Sequence, residues 1–465
     1  MRRTAPQSRP LTPTLLPVLL LALVLVATLW APPVAAAADE SATPTTLTVS
    51  APATGFVDST QQVSASLHRA DGSPVAAATL RFQRRVGGAW QGAGQAVTGA
   101  DGRAAVAVVV RPVRGDNTFR ALFDGRADSD PTTEDLLAAT SGTAVIEPRT
   151  RVTTLTIAGP SRIVDETKAT LRLRWFAGNG DPVPGKAVVW RRYGGGAWVR
   201  HTTVSTGGDG LASVTVSPRV DSRWKAIGAP GPWWQGDTSG VHVLDNVPPG
   251  DPVAYPEGAP KPSLRLPAQA RAVGAGPNAT IGGISNGMWR SMVGRSWHRG
   301  CPVGRAQLRV VRVNYWAFNG YRRRGEIVVR AAIAGKTARV FAAVYRARLP
   351  IRSMYRVDRF GWSSRLQGAD DYRSMRAGNT SAFNCRGVVG NPRVRSPHSY
   401  GRSIDINPWE NPYSSRQGWV PNTWWVSRSH PRIAWRSSGH TMVQIFRNHG
   451  FRWTYGRSDN HHFDG

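Results

Sequence analysis

The chain contains the segment Ser396-Pro-His-Ser-Tyr-Gly-Arg-Ser-Ile-Asp-Ile-Asn407 and, near its C-terminus, the segment Asp459-Asn-His-His-Phe463. In the first segment His398 and Asp405 are seven positions apart. A straight strand would point them to opposite faces, so a turn is needed, and Gly401 can supply it. The residues around Asp405 alternate in polarity and predict a short strand. The first segment therefore predicts a turn that leads into a strand.

Two imidazoles and a carboxylate can hold Zn²⁺ and leave a fourth position for water, so His398, Asp405 and a histidine of the second segment are candidate metal ligands. Neighbouring residues of a strand face opposite ways, so only one of His461 and His462 can point at the metal. Asp459 is close enough to accept a proton from the attacking water without being a ligand. Aromatic residues at positions 451, 453 and 455 predict a strand before this segment.

These residues resemble the signature of a zinc peptidase family of bacterial cell walls, S-x-H-x-x-G-x-A-x-D followed by E/D-x-x-H. The family contains D-alanyl-D-alanine carboxypeptidases and L-alanyl-D-glutamate endopeptidases. The matching residues are Ser396, His398, Gly401, Asp405, Asp459 and His462. Ser403 stands where the family usually has Ala. The resemblance covers about residues 288–465, and the flanking residues 379–386 and 407–413 look most like the phage-lysin-type endopeptidase branch.

The resemblance implies an α+β domain of the Hedgehog/DD-peptidase type with Zn²⁺ as its cofactor. It selects His398, Asp405 and His462 as ligands and Asp459 as the general base. Asp464 is then expected to orient the His462 ring through its second nitrogen. The alternative for His461 is a residue behind the ligands or on the surface.

The resemblance also implies a cationic side chain near the substrate carboxylate or the oxyanion. Arg386 is the candidate, because residues 380–386 suggest a strand entering the site and a guanidinium can fork onto a carboxylate. The alternative is an ordinary surface arginine in an arginine-rich chain.

Residues 1–38 have the three parts of a secretory signal peptide. Met1-Arg-Arg3 is basic, residues 15–29 are apolar, and small residues at 35–38 would be the cleavage site. The alternative is a retained anchor helix. No later segment approaches the ~20 apolar residues of a membrane span. The sequence therefore predicts a secreted, cell-wall-associated protein with no transmembrane span in the mature chain.

The chain has two cysteines, Cys301 and Cys385, both in its C-terminal region. An oxidising compartment favours a disulfide between them. The alternative is a cysteine ligand for zinc, although the histidine and aspartate set is already complete.

An internal repeat precedes this region. Thr45-Thr-Leu-Thr-Val49 recurs 108 residues later as Thr153-Thr-Leu-Thr-Ile157, and Gly87-Gly-Ala-Trp90 recurs as Gly195-Gly-Ala-Trp198. Short alternating strands separated by Asp-Gly and Gly-Gly turns indicate immunoglobulin-like β-sandwiches.

The sequence thus predicts a multidomain chain. The expected parts are the signal peptide (1–38), two immunoglobulin-like sandwich repeats (39–148 and 149–246), a proline-rich linker (247–263) and a zinc peptidase domain (264–465). The linker is expected to be extended and semi-rigid.

The chain has 59 Lys and Arg against 29 Asp and Glu, a formal net charge of +30. Such a surface attracts anionic polymers. In an exported protein these would be teichoic acids, phospholipid headgroups or the carboxylates of peptidoglycan. No zinc-finger, helix-turn-helix or RNA-binding signature is present, so no specific nucleic-acid partner is expected.

Three functional hypotheses follow. The first is an exported zinc peptidase that hydrolyses peptidoglycan stem peptides, as an endopeptidase of the L-Ala-D-Glu type. The second is a D-alanyl-D-alanine carboxypeptidase. The third is a noncatalytic wall-binding protein with a degenerate peptidase domain.

Overall fold

The computed structural model of the protein describes residues 42–127, 134–264 and 266–465. The predicted signal peptide lies outside the described residues. The chain divides into two compact units, Met1–Arg149 and Thr150–Gly465. Within the described ranges, none of the helices has the length and apolar character that a membrane crossing requires.

The described part of the first unit is a two-sheet β-sandwich. Its strands are β1 (Thr45–Ser50), β2 (Thr54–Phe56), β3 (Thr60–Arg69), β4 (Thr79–Val86), β5 (Ala89–Val97), β6 (Arg103–Val109), β7 (Thr118–Phe123), β8 (Ala139–Thr140), β9 (Ala144–Val145) and β10 (Glu147–Arg149). One main sheet has the order β1-β3-β6 and the other β5-β4-β7-β8, with β9 also on β7, while β2 and β10 pair separately as a short parallel sheet. Alternate residues of β6 are buried, so each strand presents one face to a core that includes Leu67, Leu80 and Phe119.

The second unit begins with a sandwich of the same plan. Its strands are β11 (Thr153–Ala158), β12 (Arg162–Val164), β13 (Ala169–Ala177), β14 (Lys186–Tyr193), β15 (Val199–Ser205), β16 (Leu211–Val216), β17 (Ser222–Gly228), β18 (Asp237–Thr238) and β19 (His242–Val247). The sheets have the orders β11-β13-β16 and β12-β19-β17-β14-β15. Trp175 and Trp224 fill its core. The repeated sequence therefore folds into sandwiches in both units, and the immunoglobulin-like assignment stays a prediction.

The C-terminal region of the second unit combines small sheets with helices. Its helices are α1 (Asn286–Met292), α2 (Ala331–Arg346), α3 (Asp371–Arg376) and α4 (Thr441–Asn448). Its strands are β20 (Thr280–Gly283), β21 (Leu308–Trp316), β22 (Arg322–Arg330), β23 (Trp362–Ser363), β24 (Gly368–Ala369), β25 (Gly387–Val388), β26 (Asn391–Arg395), β27 (Ser403–Asp405), β28 (Tyr413–Ser415), β29 (Gly418–Val420) and β30 (His462–Asp464).

One core holds this region together. Helix α2 follows β22 directly, and its residues Ile333, Val340 and Phe341 are buried on one face, as a helical period requires. They pack with the sheet β20-β21-β22, with α4 and with Ile404 and Phe463, which lie on β27 and β30. The strands that carry the candidate ligands are thus anchored in the main core.

The proline-rich segment after β19 has no helix or strand over residues 248–264. It lies against the C-terminal region, where Tyr255 donates a hydrogen bond to Glu410 over 2.7 Å and Trp409 donates to the Pro260 carbonyl over 2.7 Å. Val253 and Tyr255 also pack near Trp425. The segment is therefore packed along its length.

Charged groups join the second sandwich to the C-terminal region. The Asp165 side chain is fully buried and accepts hydrogen bonds from Arg219 (2.8 Å) and Arg271 (3.0 Å). Glu166 pairs with Arg219 over 2.9 Å and also with Arg322 at the start of β22. The repeat offset of 108 places Val57 and Asp58 at the equivalent positions of the first sandwich, so the buried acid is particular to the second copy.

Changing Asp165 to Asn is expected to lower the free energy of unfolding of the second unit by about 3 kcal/mol, because two arginines lose a buried carboxylate partner. Urea unfolding followed by tryptophan fluorescence measures this effect. The matched control is Asp58→Asn on the exposed surface of the first unit, which should change stability by less than about 0.5 kcal/mol. Equal effects of the two changes would contradict the assignment.

Candidate metal centre

Two of the three candidate ligands lie opposite each other on paired strands. Strands β27 and β30 are antiparallel, and Asp405 is the direct partner of His462. Ser403 is likewise the partner of Asp464. Since every second residue of a strand faces the same side, these four side chains share one face. The predicted short strand at Asp405 is confirmed.

A tight turn brings the third ligand to the same place. His398 lies in a single turn of 3-10 helix, Pro397–Tyr400, which Ser396 caps by accepting a hydrogen bond from the His398 amide. Gly401 ends the turn at φ 66°, and a Cβ there would lie 2.9 Å from the Arg330 nitrogen. Only glycine fits this left-handed, crowded position, which confirms the predicted turn.

The three candidate ligands, which we call the ligand triangle, lie close together, and Asp405 presents a different carboxylate oxygen to each ring. His398 Nε2 lies 3.1 Å from Asp405 Oδ2 and 3.2 Å from His462 Nδ1, and His462 Nδ1 lies 3.1 Å from Asp405 Oδ1. Tetrahedral zinc with bonds of about 2.05 Å separates neighbouring ligand atoms by ~3.3 Å. All three residues are buried. The spacing therefore fits one zinc ion.

Hydrogen bonds on the outer side of each ring set the tautomers. His398 Nδ1 lies 2.7 Å from the Ala382 carbonyl, which can only accept, so this nitrogen carries the hydrogen. His462 Nε2 lies 3.0 Å from Asp464 Oδ1, the contact expected from the sequence. Nε2 of His398 and Nδ1 of His462 are thus left with lone pairs that face each other. Two facing lone pairs beside a carboxylate require a cation or a proton between them.

Charges around the centre favour a cation. Burial raises the pKa of Asp405, but His398, His461 and hydrogen bonds from the ligand rings together hold it well below its usual range. Burial alone would lower the pKa of His462, yet its hydrogen bonds to Asp405 and Asp464 raise the pKa to about 10. A proton on Nδ1 of His462 would occupy the position of the metal. The residues present therefore fit Zn²⁺.

Zinc affinity is expected to rise with pH, because binding must displace the proton from His462, whose pKa is raised to about 10 in the metal-free protein. Below that pH the protonated ring competes with the metal, so the apparent affinity should increase about tenfold per pH unit between roughly pH 7 and 9. Competition with a chelator at several pH values measures it. A flat profile would show that no ligand proton is displaced.

Asp459 and His461 lie together beside the ligands. His461 Nδ1 lies 2.6 Å from the Asn411 carbonyl and therefore donates to it. Its Nε2 lies 3.2 Å from Asp459 Oδ1 and 3.8 Å from Asp405 Oδ1. Burial raises the pKa of Asp459 although the neighbouring histidines oppose this. Asp459 Oδ1 accepts no hydrogen bond from the described residues, so the two groups are close but not hydrogen-bonded, and His461 lines the same cavity as the ligands.

Arg386 lies in the same cavity, whose volume is about 240 Å³ and which the ligands and Asp459 also line. Its side chain is buried and pairs with Asp371 over 2.6 Å. A second nitrogen of the guanidinium donates to the Gly387 carbonyl over 2.9 Å. The charge of Arg386 is therefore already balanced by a carboxylate.

Two local expectations from the sequence are wrong. Residues 451–455 do not form a strand, and Arg452 makes only an isolated bridge with Asp464. Residues 380–386 are also outside any strand, with a single bridge between Ser381 and Asp405. Backbone hydrogen bonds to the ligand turn, such as Asn384 to the His398 carbonyl over 3.3 Å, hold this segment instead.

Cys301 and Cys385 are joined in a disulfide, as the sequence predicts, with their Cα atoms 5.9 Å apart. A ring nitrogen of His298 and the two sulfur atoms lie within 4.8 Å of one another. Disulfide sulfurs are poor metal ligands, since the thiolate is the binding form. The alternative of a cysteine ligand is therefore excluded by the disulfide.

Replacing both cysteines with serine is expected to lower the free energy of unfolding by about 4 kcal/mol, because the disulfide closes a loop with a sequence separation of 84 residues. Urea unfolding with and without a reductant measures the effect. The reductant should destabilise the unchanged protein and leave the double variant as it was. A difference below about 1 kcal/mol would contradict a stabilising role.

Reasoning from the sequence missed two residues of the site, Asp371 and Asn411. Asp371, the partner of Arg386, lies 15 residues before it. Asn411 holds His461 from 50 residues away, and its own side chain is buried. Asn411 lies in the segment 407–413 that carries the family resemblance, which is the one hint of its importance.

The comparison with protein families supports this geometry. Residues 389–465 match the family described as D-alanyl-D-alanine carboxypeptidase. This stretch contains the three candidate ligands and Asp459, so the resemblance to the cell-wall zinc peptidases is confirmed. A search of curated proteins finds no match to the chain.

Proposed function

We propose that the chain is an exported, zinc-dependent peptidase that hydrolyses peptidoglycan stem peptides. The observation that supports this most strongly is the ligand triangle, because the two ring nitrogens lie 3.2 Å apart and each is 3.1 Å from a carboxylate oxygen of Asp405, which suits one zinc ion. Asp459 lies in the same cavity of about 240 Å³. Export and association with the wall rest on the predicted signal peptide.

His398, Asp405 and His462 would hold the metal. When bound, Zn²⁺ supplies a Lewis acid that polarises the scissile carbonyl and acidifies water. Asp459 accepts the proton of the attacking water and returns it to the leaving amine. Its raised pKa, which burial causes, suits a group that must both take and release a proton. His461 lies beside it, with Nε2 3.2 Å from Asp459 Oδ1.

The ion pair of Arg386 determines whether this residue is free to bind a carboxylate of the substrate. A carboxypeptidase must recognise the free carboxylate at the end of its peptide, which calls for an unpaired cation near the metal. Arg386 is the cation that lines the described cavity, and Asp371 already neutralises it. The D-Glu that follows an L-Ala-D-Glu bond also has a free α-carboxylate, so both activities meet a carboxylate next to the scissile bond. The choice of an endopeptidase of the L-Ala-D-Glu type therefore rests on the resemblance of residues 379–386 and 407–413 to the phage-lysin-type branch. Either enzyme would have to open the pair of Arg386 with Asp371 before Arg386 could bind that carboxylate.

Product masses from purified pentapeptide muropeptides test the proposal. An L-Ala-D-Glu endopeptidase should release a peptide that begins with Glu and leave L-Ala on the sugar. A D,D-carboxypeptidase should release a single alanine. Unchanged masses with zinc-loaded protein would instead support a noncatalytic wall-binding protein and overturn the proposal.

A further inference from the structure

The positive charge of the chain is concentrated in its C-terminal region. Residues 247–465 have 34 Lys and Arg against 10 Asp and Glu, whereas residues 42–149 have 10 of each. Like charges repel and destabilise a compact fold unless a partner neutralises them. The excess therefore indicates a partner for the C-terminal region rather than for the first sandwich.

The few acids of this region are mostly engaged within the protein. Asp405, Asp459 and Asp464 belong to the metal centre. Four other acids form ion pairs with arginines, namely Glu326, Asp358, Asp371 and Glu410. Within the described part of residues 247–465, seven arginines pair with carboxylates. Most of the cations are therefore not balanced by an acid in contact.

Four of these cations lie together on one face. Lys336 donates to the Gly450 carbonyl over 3.0 Å, and its ammonium lies 4.9 Å from the centre of the Phe451 ring. Burial, and then the charges of Arg402 and Arg452, lower the pKa of Lys336. Arg447 and Arg452 line a depression of about 480 Å³ over Phe451. We call Lys336, Arg402, Arg447 and Arg452 the basic face.

No acid neutralises the basic face among the described residues. The carboxylate next to it, Asp464, accepts hydrogen bonds from His462, Ser403 and Thr454 over 3.0, 2.6 and 2.7 Å. Arg402, Arg447 and Arg452 are exposed. Guanidinium groups bind phosphate oxygens through two parallel hydrogen bonds, so a cluster of them suits a polymer of phosphodiesters.

We infer that the basic face binds a phosphodiester polymer of the cell wall and so holds the peptidase region on its substrate layer. Recognition is by charge and by the spacing of phosphates, with Trp453 at the edge of the depression available to contact the polymer backbone. The binding is separate from catalysis, because none of the four cations is a ligand or lines the metal cavity.

Binding of poly(glycerol phosphate) to the full chain, measured by calorimetry, tests the inference. Affinity should fall about tenfold between 50 and 200 mM salt, as counterion release predicts for a few phosphate contacts. Changing Arg402, Arg447 and Arg452 to Gln should weaken binding about tenfold. The control removes the same charge from the first unit, by Arg81→Gln, Arg103→Gln and Arg114→Gln, and should change affinity less than about twofold.

Equal loss of affinity in the two triple variants would overturn the inference, since net charge alone would then explain binding. Absence of binding at 50 mM salt would overturn it as well. Duplex DNA that binds as tightly, with the same loss in the basic-face variant, would replace the wall polymer with a nucleic acid. Unfolding curves check that both variants fold. The polymer should also bind after the metal is removed by a chelator, so failure of the proposed peptidase activity can be told apart from failure of this inference.

Discussion

Replacing His398 with alanine is expected to abolish both zinc binding and peptidase turnover. His398 Nε2 is one corner of the ligand triangle, 3.1 Å from Asp405 Oδ2 and 3.2 Å from His462 Nδ1. The remaining two protein ligands are too few for a stable zinc site, which has at least three. Metal analysis of the purified variant, together with muropeptide turnover, measures both effects.

The matched control is His461→Ala. His461 is equally buried, but its Nδ1 donates to the Asn411 carbonyl, and its Nε2 lies 3.2 Å from Asp459 Oδ1 and 3.8 Å from Asp405 Oδ1. Zinc content should therefore stay close to one per chain in this variant. Loss of zinc from His461→Ala and its retention in His462→Ala would show that the wrong histidine has been assigned as the ligand.

Changing Asp459 to Asn is expected to reduce turnover by roughly 10² to 10⁴-fold while zinc content stays the same. The amide keeps the size of the side chain but cannot accept the proton of the attacking water. Asp459 is not part of the ligand triangle, so the metal should remain. Zinc stoichiometry and turnover are measured on the same preparation.

Two other outcomes have distinct meanings. Loss of zinc along with activity would make Asp459 a ligand, since an amide is a poor substitute for a carboxylate on Zn²⁺. A variant that keeps both zinc and activity would show that Asp459 does not accept the proton of the attacking water. His461, which lies beside Asp459, would then be the next candidate for that role.

The local structure around the candidate ligands could be predicted, because short-range rules determine it. Gly401 permits the turn after His398, and the alternation around Asp405 predicts its strand. Strand alternation allows only one of His461 and His462 to face the other ligands, and the family resemblance selects His462. The partners of the other site residues could not be predicted. Asp371 meets Arg386, and Asn411 meets His461, only because the fold brings distant segments together.

The same distinction holds for the fold. The strands of the two sandwiches could be predicted from the repeated sequence, because the alternation of apolar residues is a local signal. The attachment of the second sandwich depends on Asp165 meeting Arg271, two residues that are 106 positions apart. Aspartate and arginine both occur many times in the chain, so no sequence pattern identifies these two residues as partners.

The most direct test of the central claim is a zinc titration of the metal-free protein with muropeptide turnover as the readout. If His398, Asp405 and His462 form one catalytic centre, turnover should be absent at the start, rise in proportion to added zinc and level off at one zinc per chain. Full turnover in metal-free protein, or no turnover at one bound zinc per chain, would contradict the assignment.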